Sequence, residues 1–141
     1  NAGQTCTAPD YVLCHKSKQE DLIAGLAANF KRFFKKNGKH TTEDYCQIIN
    51  QKHFDRVSGY IDSAVSRGAS VVFGGRTDKE SRFIEPTVLS NVSLESEVMT
   101  EEIFGPILPI LPYENLDDVV SFINKRHRRR SIYNSSFCST Y

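Results

Sequence analysis

One cysteine lies in a short polar segment at the start of the chain, which reads Asn1-Ala-Gly-Gln-Thr-Cys6-Thr-Ala-Pro-Asp10. An apolar run beginning at Tyr11 follows at once, so we predict that the thiol sits on a loop held by the next strand. Loop N–H groups can lower the pKa of a thiol, and an accessible thiolate is a nucleophile. Gly3 allows close approach to a bound group, and Pro9 keeps the loop from winding into a helix. By spacing alone, a buried structural cysteine is the favoured interpretation of Cys6.

Two segments together resemble the signatures of the aldehyde dehydrogenase superfamily. Asn1-Ala-Gly-Gln-Thr-Cys6 is similar to its catalytic-cysteine motif, in which the cysteine follows Gly-Gln-Thr. Glu102-Ile-Phe104-Gly-Pro106 is similar to its second signature, Glu-x-Phe-Gly-Pro, at a matching interval downstream. The continuation from Ala8 to Cys14 resembles the class 3 branch, the fatty and aromatic aldehyde dehydrogenases. The resemblance covers residues 1–126, which we interpret as part of a catalytic domain.

The resemblance implies roles for three side chains. Cys6 would attack an aldehyde carbonyl to give a thiohemiacetal, whose oxyanion the cysteine's own N–H and an asparagine side chain would stabilise. Hydride would pass to NAD or NADP, and water activated by a glutamate would hydrolyse the thioester. Glu102 would contact the ribose on the nicotinamide side of the cofactor, and Phe104 would lie against the cofactor. The implied substrates are medium-chain, long-chain or aromatic aldehydes.

The second motif also has an interpretation without a cofactor. Taken without the resemblance, Glu102 is a solvated loop charge and Phe104 is a core anchor. A carboxylate beside a rigid Gly-Pro turn can nevertheless accept hydrogen bonds from a ribose diol, and an aromatic side chain can pack on a flat ring. Glu101 is a competing carboxylate, but it stands one residue too early in the motif. With the resemblance, we favour Glu102 and Phe104 as cofactor-binding residues.

Family members place several catalytic parts before the cysteine: the oxyanion asparagine, the general-base glutamate and most of the dinucleotide-binding domain. Asn1 and Glu20 lack the motif context to replace them, so we expect the isolated chain to be inactive or nearly so. Asn1 is also an implausible translation start, and we expect the chain to begin within a longer protein. Residues 127–141 depart from the family and are predicted to form a disordered tail.

The elements that must position these side chains alternate along the chain. The predicted strands are 11–15, 70–73, 82–89 and 107–112, the last flanked by prolines. Pro86 is expected to reduce part of the segment 82–89 to an edge or a bulge. The predicted helices run from a capping box at Ser17–Glu20 to Gly38, from Gln51 to Arg67, and onward from Asn115. The second helix has an apolar face of Phe54, Val57, Ile61, Ala64 and Val65. This order predicts an α/β fold with a largely parallel sheet and flanking helices.

Composition excludes several other classes of protein. The 141 residues are 39% hydrophobic and 25% charged, as in an ordinary globular protein. The net charge of +1 argues against nucleic acid or an anionic membrane as a partner, and the basic run at 125–130 is interpreted as a solvated tail. Neither a signal peptide nor an apolar run of the ~20 residues that span a bilayer is recognisable. Four scattered cysteines predict no disulfide framework and no metal site, which fits a reducing, cytoplasmic setting.

Two functions of different classes are left open. The chain is either the catalytic-cysteine portion of a class 3 aldehyde dehydrogenase, homodimeric in its full-length form, or a truncated product without catalysis. In the second case it would associate with full-length subunits through exposed sheet edges and apolar surface.

Overall fold

A computed structural model describes residues 1–36, 39–40 and 45–125. Its strands are β1 (Val12–His15), β2 (Lys35–Lys36), β3 (Lys39–His40), β4 (Ser70–Phe73), β5 (Thr77–Asp78), β6 (Phe83–Ile84), β7 (Thr87–Ser90) and β8 (Ile107–Tyr113). Its helices are α1 (Gln19–Phe34), α2 (Gln51–Ser66), α3 (Glu97–Thr100) and α4 (Leu116–Lys125). The predicted continuation of α1 through Lys35 and Lys36 is wrong, because α1 ends at Phe34 and these two lysines form β2. Gly38 and the predicted tail 127–141 lie outside the described residues.

The central sheet has the strand order β1-β8-β7-β4. Strand β8 pairs in parallel with both β1 and β7, whereas β4 pairs antiparallel with β7. The prediction of an α/β fold with a largely parallel sheet is therefore confirmed. No helix within the described ranges is long and apolar enough to cross a membrane.

Helices cover both faces of this sheet, because successive side chains of a strand point to opposite sides. Val88 and Ile110 form one buried cluster, against which Leu22 and Phe30 of α1 pack. Leu89, Ile107 and Leu111 belong to a second cluster, to which α2 contributes Phe54, Val57, Ile61 and Ala64. Val65, which the sequence pattern assigns to the apolar face of α2, is 46% exposed, while Tyr60 is buried on that face.

Three local predictions need correction. Ser17 does not begin α1, which starts at Gln19. Ser17 lies in the 3-10 turn Lys16–Lys18, and its backbone N–H donates to the His15 ring. The predicted segment 82–89 is interrupted at Pro86, the residue expected to weaken it, and forms two strands, β6 and β7, because proline has no N–H to offer a ladder. Strand β8 contains Pro109 and Pro112 and reaches Tyr113, so prolines lie within this strand as well as before it.

Candidate active site

Cys6 lies on an exposed loop whose backbone is held by the side chains of Asn1 and Gln4. The N–H of Gly3 donates to Asn1 Oδ1 at 3.0 Å. Gln4 Nε2 donates to the carbonyl oxygen of Gln47 at 3.0 Å, and Gln4 Oε1 accepts from the N–H of Ile49 at 2.9 Å. The glutamine of the cysteine motif therefore anchors the loop to the segment that precedes α2.

The cysteine loop touches the second motif backbone to backbone at Gly3 and Gly105. Gly3 has a φ of +71°, and a Cβ built there would lie 2.3 Å from the carbonyl oxygen of Gly105. A Cβ on Gly105 would lie 2.5 Å from a methyl carbon of Val57, so this glycine is enclosed from both sides. Only glycine permits so close an approach at these positions, and both motifs need it.

The same contact creates a cleft that both motifs share. Its lining residues are Gly3, Thr5, Cys6, Ala8, Pro9, Asp10, Glu102, Ile103, Phe104 and Gly105. The three predicted site residues, Cys6, Glu102 and Phe104, are thus brought together, although 96 positions separate the first two in the sequence (102 minus 6). Sequence reasoning missed Asp10 as part of this cleft; its Oδ1 accepts from the N–H of Ile103 at 3.1 Å.

The backbone of the second motif is strained where the aromatic side chain stands. Phe104 has a φ of +43° and its side chain is 37% exposed. Left-handed backbone is costly for a residue with a Cβ, and such strain concentrates at binding and catalytic sites. The exposed ring beside an exposed Glu102 carboxylate offers a flat apolar surface and an oxygen acceptor to a bound ligand.

The two neighbouring carboxylates have different surroundings. Tyr60 of α2 donates from Oη to Glu101 Oε2 at 2.6 Å. Burial raises the pKa of Tyr60, and the bond to Glu101 raises this pKa further, so the phenol keeps its proton and donates. Within the described part of the chain, the Glu102 side chain takes part in no hydrogen bond or ion pair. Glu101 is therefore engaged in the fold, and Glu102 is available at the cleft.

Arg56 of α2 is a further residue that sequence reasoning missed. It donates from Nη1 to the carbonyl oxygen of Glu102 at 3.1 Å and from Nη2 to that of Ile103 at 2.9 Å. In the sequence, Arg56 looks like a solvated helix charge. The one signal was its position four residues before Tyr60, which places both side chains on one face of α2.

Comparison with known proteins agrees with the fold and with the family resemblance. The sequence profile of the aldehyde dehydrogenase family matches residues 1–131. The 4,4'-diaponeurosporen-aldehyde dehydrogenase of Staphylococcus aureus is 46% identical over 133 residues, which are 94% of this chain and 28% of that protein. Aldehyde dehydrogenase family 3 member A2 of Pongo abelii is 44% identical over 133 residues, 94% of this chain and 26% of that protein.

Solved structures give the same result. The substrate-bound state of Staphylococcus aureus AldH matches with a TM-score of 0.80 and 46% identity, over 89% of this chain and 26% of that one. Betaine aldehyde dehydrogenase from Staphylococcus aureus, solved in complex with NAD+, matches with a TM-score of 0.74 and 26% identity, over 87% of this chain and 25% of that one. The chain spans about a quarter of the length of these relatives. Because the family profile covers nearly the whole sequence and class 3 enzymes are among the relatives, this chain belongs to the aldehyde dehydrogenase family.

Proposed function

We propose that this chain carries the nucleophile and part of the cofactor site of an NAD(P)-dependent aldehyde dehydrogenase, which oxidises aldehydes to carboxylic acids. The observation that carries the proposal is that Cys6, Glu102 and Phe104 all line the same cleft. The proposed substrates are medium-chain, long-chain or aromatic aldehydes. The name of the Staphylococcus aureus relative, an enzyme for the aldehyde of 4,4'-diaponeurosporene, supports an apolar substrate.

In this proposal Cys6 acts on the aldehyde directly. Its thiolate forms a bond to the carbonyl carbon while the π electrons move to the oxygen, and loop N–H groups stabilise the oxyanion. Glu102 would accept hydrogen bonds from a ribose diol, and the exposed Phe104 ring would support the cofactor. Bound NAD or NADP supplies the hydride acceptor. We also propose that these 141 residues alone do not turn over, because family members take the general-base glutamate and the oxyanion asparagine from residues that precede the cysteine.

The role of Cys6 can be tested in the complete gene product. We expect Cys6→Ser to lower kcat by about a thousandfold or more, because a serine hydroxyl is a far weaker nucleophile. Cys46→Ser is the matched control, since Cys46 is also an exposed free thiol but does not line the cleft. Normal turnover in Cys6→Ser would refute the proposal.

The cofactor assignment has its own matched pair of variants. We expect Glu102→Gln to raise the dissociation constant of NAD(P), measured by calorimetry, about tenfold, because hydrogen bonds to a charged group contribute about 1.5–3 kcal/mol. Glu101→Gln should leave this constant within about twofold, because the amide oxygen can still accept from Tyr60. If both variants change the dissociation constant equally, Glu102 has no special role in binding the cofactor.

A second candidate function is association without catalysis. Strand β4 is an edge strand of the central sheet, and its side chains Val71 and Val72 are 39% and 36% exposed. Exposed apolar edges pair readily with other chains. If this function is correct, the 141-residue chain will co-purify with an active full-length relative, and Val71→Lys will abolish the association. Co-purification that Val71→Lys leaves unchanged would argue against β4 as the contact.

A further inference from the structure

Arg56 contacts the second motif from the side of α2, and it is not among the residues that line the cleft. Its guanidinium spans two successive carbonyl groups, those of Glu102 and Ile103, with N···O distances of 3.1 and 2.9 Å. The arginine is only partly exposed, and Tyr60 beside it is buried. A planar guanidinium with donors in a fixed fork orients both acceptors, which a single point charge would not do.

These two bonds act on the peptide units that set the direction of the site residues. The carbonyl of Ile103 belongs to the peptide that precedes Phe104, so fixing its plane restrains the φ of +43° at Phe104. On its other side, Ile103 donates its N–H to Asp10, so both polar groups of this residue are held. Strained backbone persists only where its surroundings hold it in place. Arg56 and Asp10 supply that restraint here.

Tyr60 extends the restraint to the residue before Glu102. The Arg56 Nη1 donates to Tyr60 Oη at 2.9 Å, and Tyr60 donates to Glu101 Oε2 at 2.6 Å. Three consecutive residues, 101–103, are thus tied to one face of α2. Side chains such as Val57 anchor that helix in the core, so the position of the loop is set by a well-packed helix.

We propose that Arg56 is a positioning residue for cofactor binding, which acts by holding the carbonyl groups that orient Glu102 and Phe104. This inference rests on the proposed function, in which Glu102 and Phe104 bind NAD(P). A purely structural arginine would change stability and leave cofactor affinity unaltered. A positioning arginine changes affinity for the dinucleotide and leaves the nucleophile alone.

The first test measures dinucleotide affinity by calorimetry and Cys6 alkylation without cofactor, both in the complete gene product. We expect Arg56→Ala to raise the dissociation constant about tenfold, equivalent to about 1.4 kcal/mol. Cys6 alkylation should stay within about twofold of its original rate. Arg56→Lys should recover less than half of the lost affinity, because an ammonium group cannot span two carbonyls. Arg67→Ala is the control, since Arg67 is exposed at the end of the same helix.

If Arg56→Ala does not fold, Arg56→Lys and Tyr60→Phe carry the test, because each leaves part of the network in place. A tenfold weaker affinity with normal unfolding in urea supports positioning. Unchanged affinity in both milder variants, or equal losses of affinity and of Cys6 reactivity, overturns it.

A second test separates positioning from direct contact with the dinucleotide. Arg56→Ala is measured again in the Glu102→Gln background. If Arg56 acts through Glu102, its effect shrinks there to about threefold or less, because residues that act together are not additive. Because Arg56 is proposed to orient Phe104 as well, Arg56→Ala is also measured in the Phe104→Ala background, and an additive effect in both backgrounds overturns the positioning role. If Glu102→Gln by itself leaves affinity unchanged, the proposed function fails, and this inference fails with it. If Glu102→Gln weakens binding and Arg56→Ala does not, only this inference fails.

Discussion

Asp10 and Ile103 are 93 positions apart, and the carboxylate of the first accepts a hydrogen bond from the backbone N–H of the second at 3.1 Å. This bond joins the loop of Cys6 to the loop of Glu102 and Phe104, and both residues line the shared cleft. The loop of the proposed nucleophile and the proposed cofactor loop are therefore connected by one side chain.

We expect Asp10→Ala to lower the free energy of unfolding by about 1–3 kcal/mol, because it leaves the Ile103 N–H without this acceptor. Asp10→Asn should lose much less, since its amide oxygen can take the place of Oδ1. Urea unfolding of the complete gene product measures the difference. Equal destabilisation by both substitutions would show that the charge of Asp10, and not its bond to Ile103, matters.

The backbone contact between Gly3 and Gly105 predicts a second pair of outcomes. Gly3→Ala would place a Cβ 2.3 Å from the Gly105 oxygen at a φ of +71°, and we expect it to destabilise the fold by at least about 1 kcal/mol. Gly25→Ala in α1 meets nothing within 4 Å and should stabilise by about 0.5–1 kcal/mol through helix propensity. Thermal unfolding compares the two variants. A neutral Gly3→Ala would mean that the loops can separate freely.

The cysteines of the described chain should differ in alkylation rate. Burial raises the pKa of the Cys14 thiol, so less of it is thiolate at any given pH, whereas Cys6 and Cys46 are exposed. We expect Cys14 to be alkylated last in the folded protein, and its alkylation rate to rise with pH. In denaturant it should be alkylated as fast as the other cysteines. Peptide mass mapping follows each thiol. NAD(P) should protect Cys6 and leave Cys46 unprotected, and equal protection of both would contradict the cleft assignment.

Stability should fall at alkaline pH because of a buried tyrosine. Tyr45 donates to the carbonyl oxygen of Ile84 at 2.8 Å; burial raises its pKa, and Glu85 and Cys46 raise it further. In the unfolded chain a tyrosine titrates near about pH 10. Below that pH Tyr45 is protonated in both the folded and the unfolded state, and its full contribution to the free energy of unfolding is present. Above it the unfolded state releases a proton that the folded state keeps, so the free energy of unfolding falls, by at most about 1.4 kcal/mol per pH unit for this group.

Urea midpoints measured from about pH 8 to about pH 11 test this prediction. Tyr45→Phe removes the proton and should flatten the alkaline decline, although it also removes the bond to Ile84. Tyr113→Phe is a suitable control, because Tyr113 lies at the end of β8 and is partly exposed. If the urea midpoint falls equally with pH in the unsubstituted protein, in Tyr45→Phe and in Tyr113→Phe, the alkaline loss of stability belongs to other groups.

Sequence patterns predicted the elements well where a period repeated over several turns. In α2, the spacing placed Phe54, Val57, Ile61 and Ala64 correctly in the core. It failed at Val65, because one residue turns a helix by about 100° and carries this side chain off the buried face. The strand 107–112 was predicted with Pro109 inside it, against the usual preference for keeping proline out of a central strand, and β8 extends one residue further to Tyr113.

The site was predictable only as far as its motifs extend. Cys6, Glu102 and Phe104 could be selected because their neighbours in the chain form recognisable segments. Arg56 and Asp10 could not, because they reach the second motif from 47 and 93 positions away and their local sequence says nothing about that contact. Their selection requires the packing of α2 and the cysteine loop, which is a tertiary property.

The left-handed backbone at Phe104 has a consequence for how this chain tolerates change. Glycine and asparagine adopt a φ of +43° at little cost, whereas a phenylalanine there gives up about 1 kcal/mol of folding stability. A sequence optimised for robustness alone would not retain an aromatic ring at this position. In the proposed function, where Phe104 supports the cofactor, stability and ligand recognition are opposed at position 104. Variants selected for heat resistance are then expected to lose the ring before they lose any core residue.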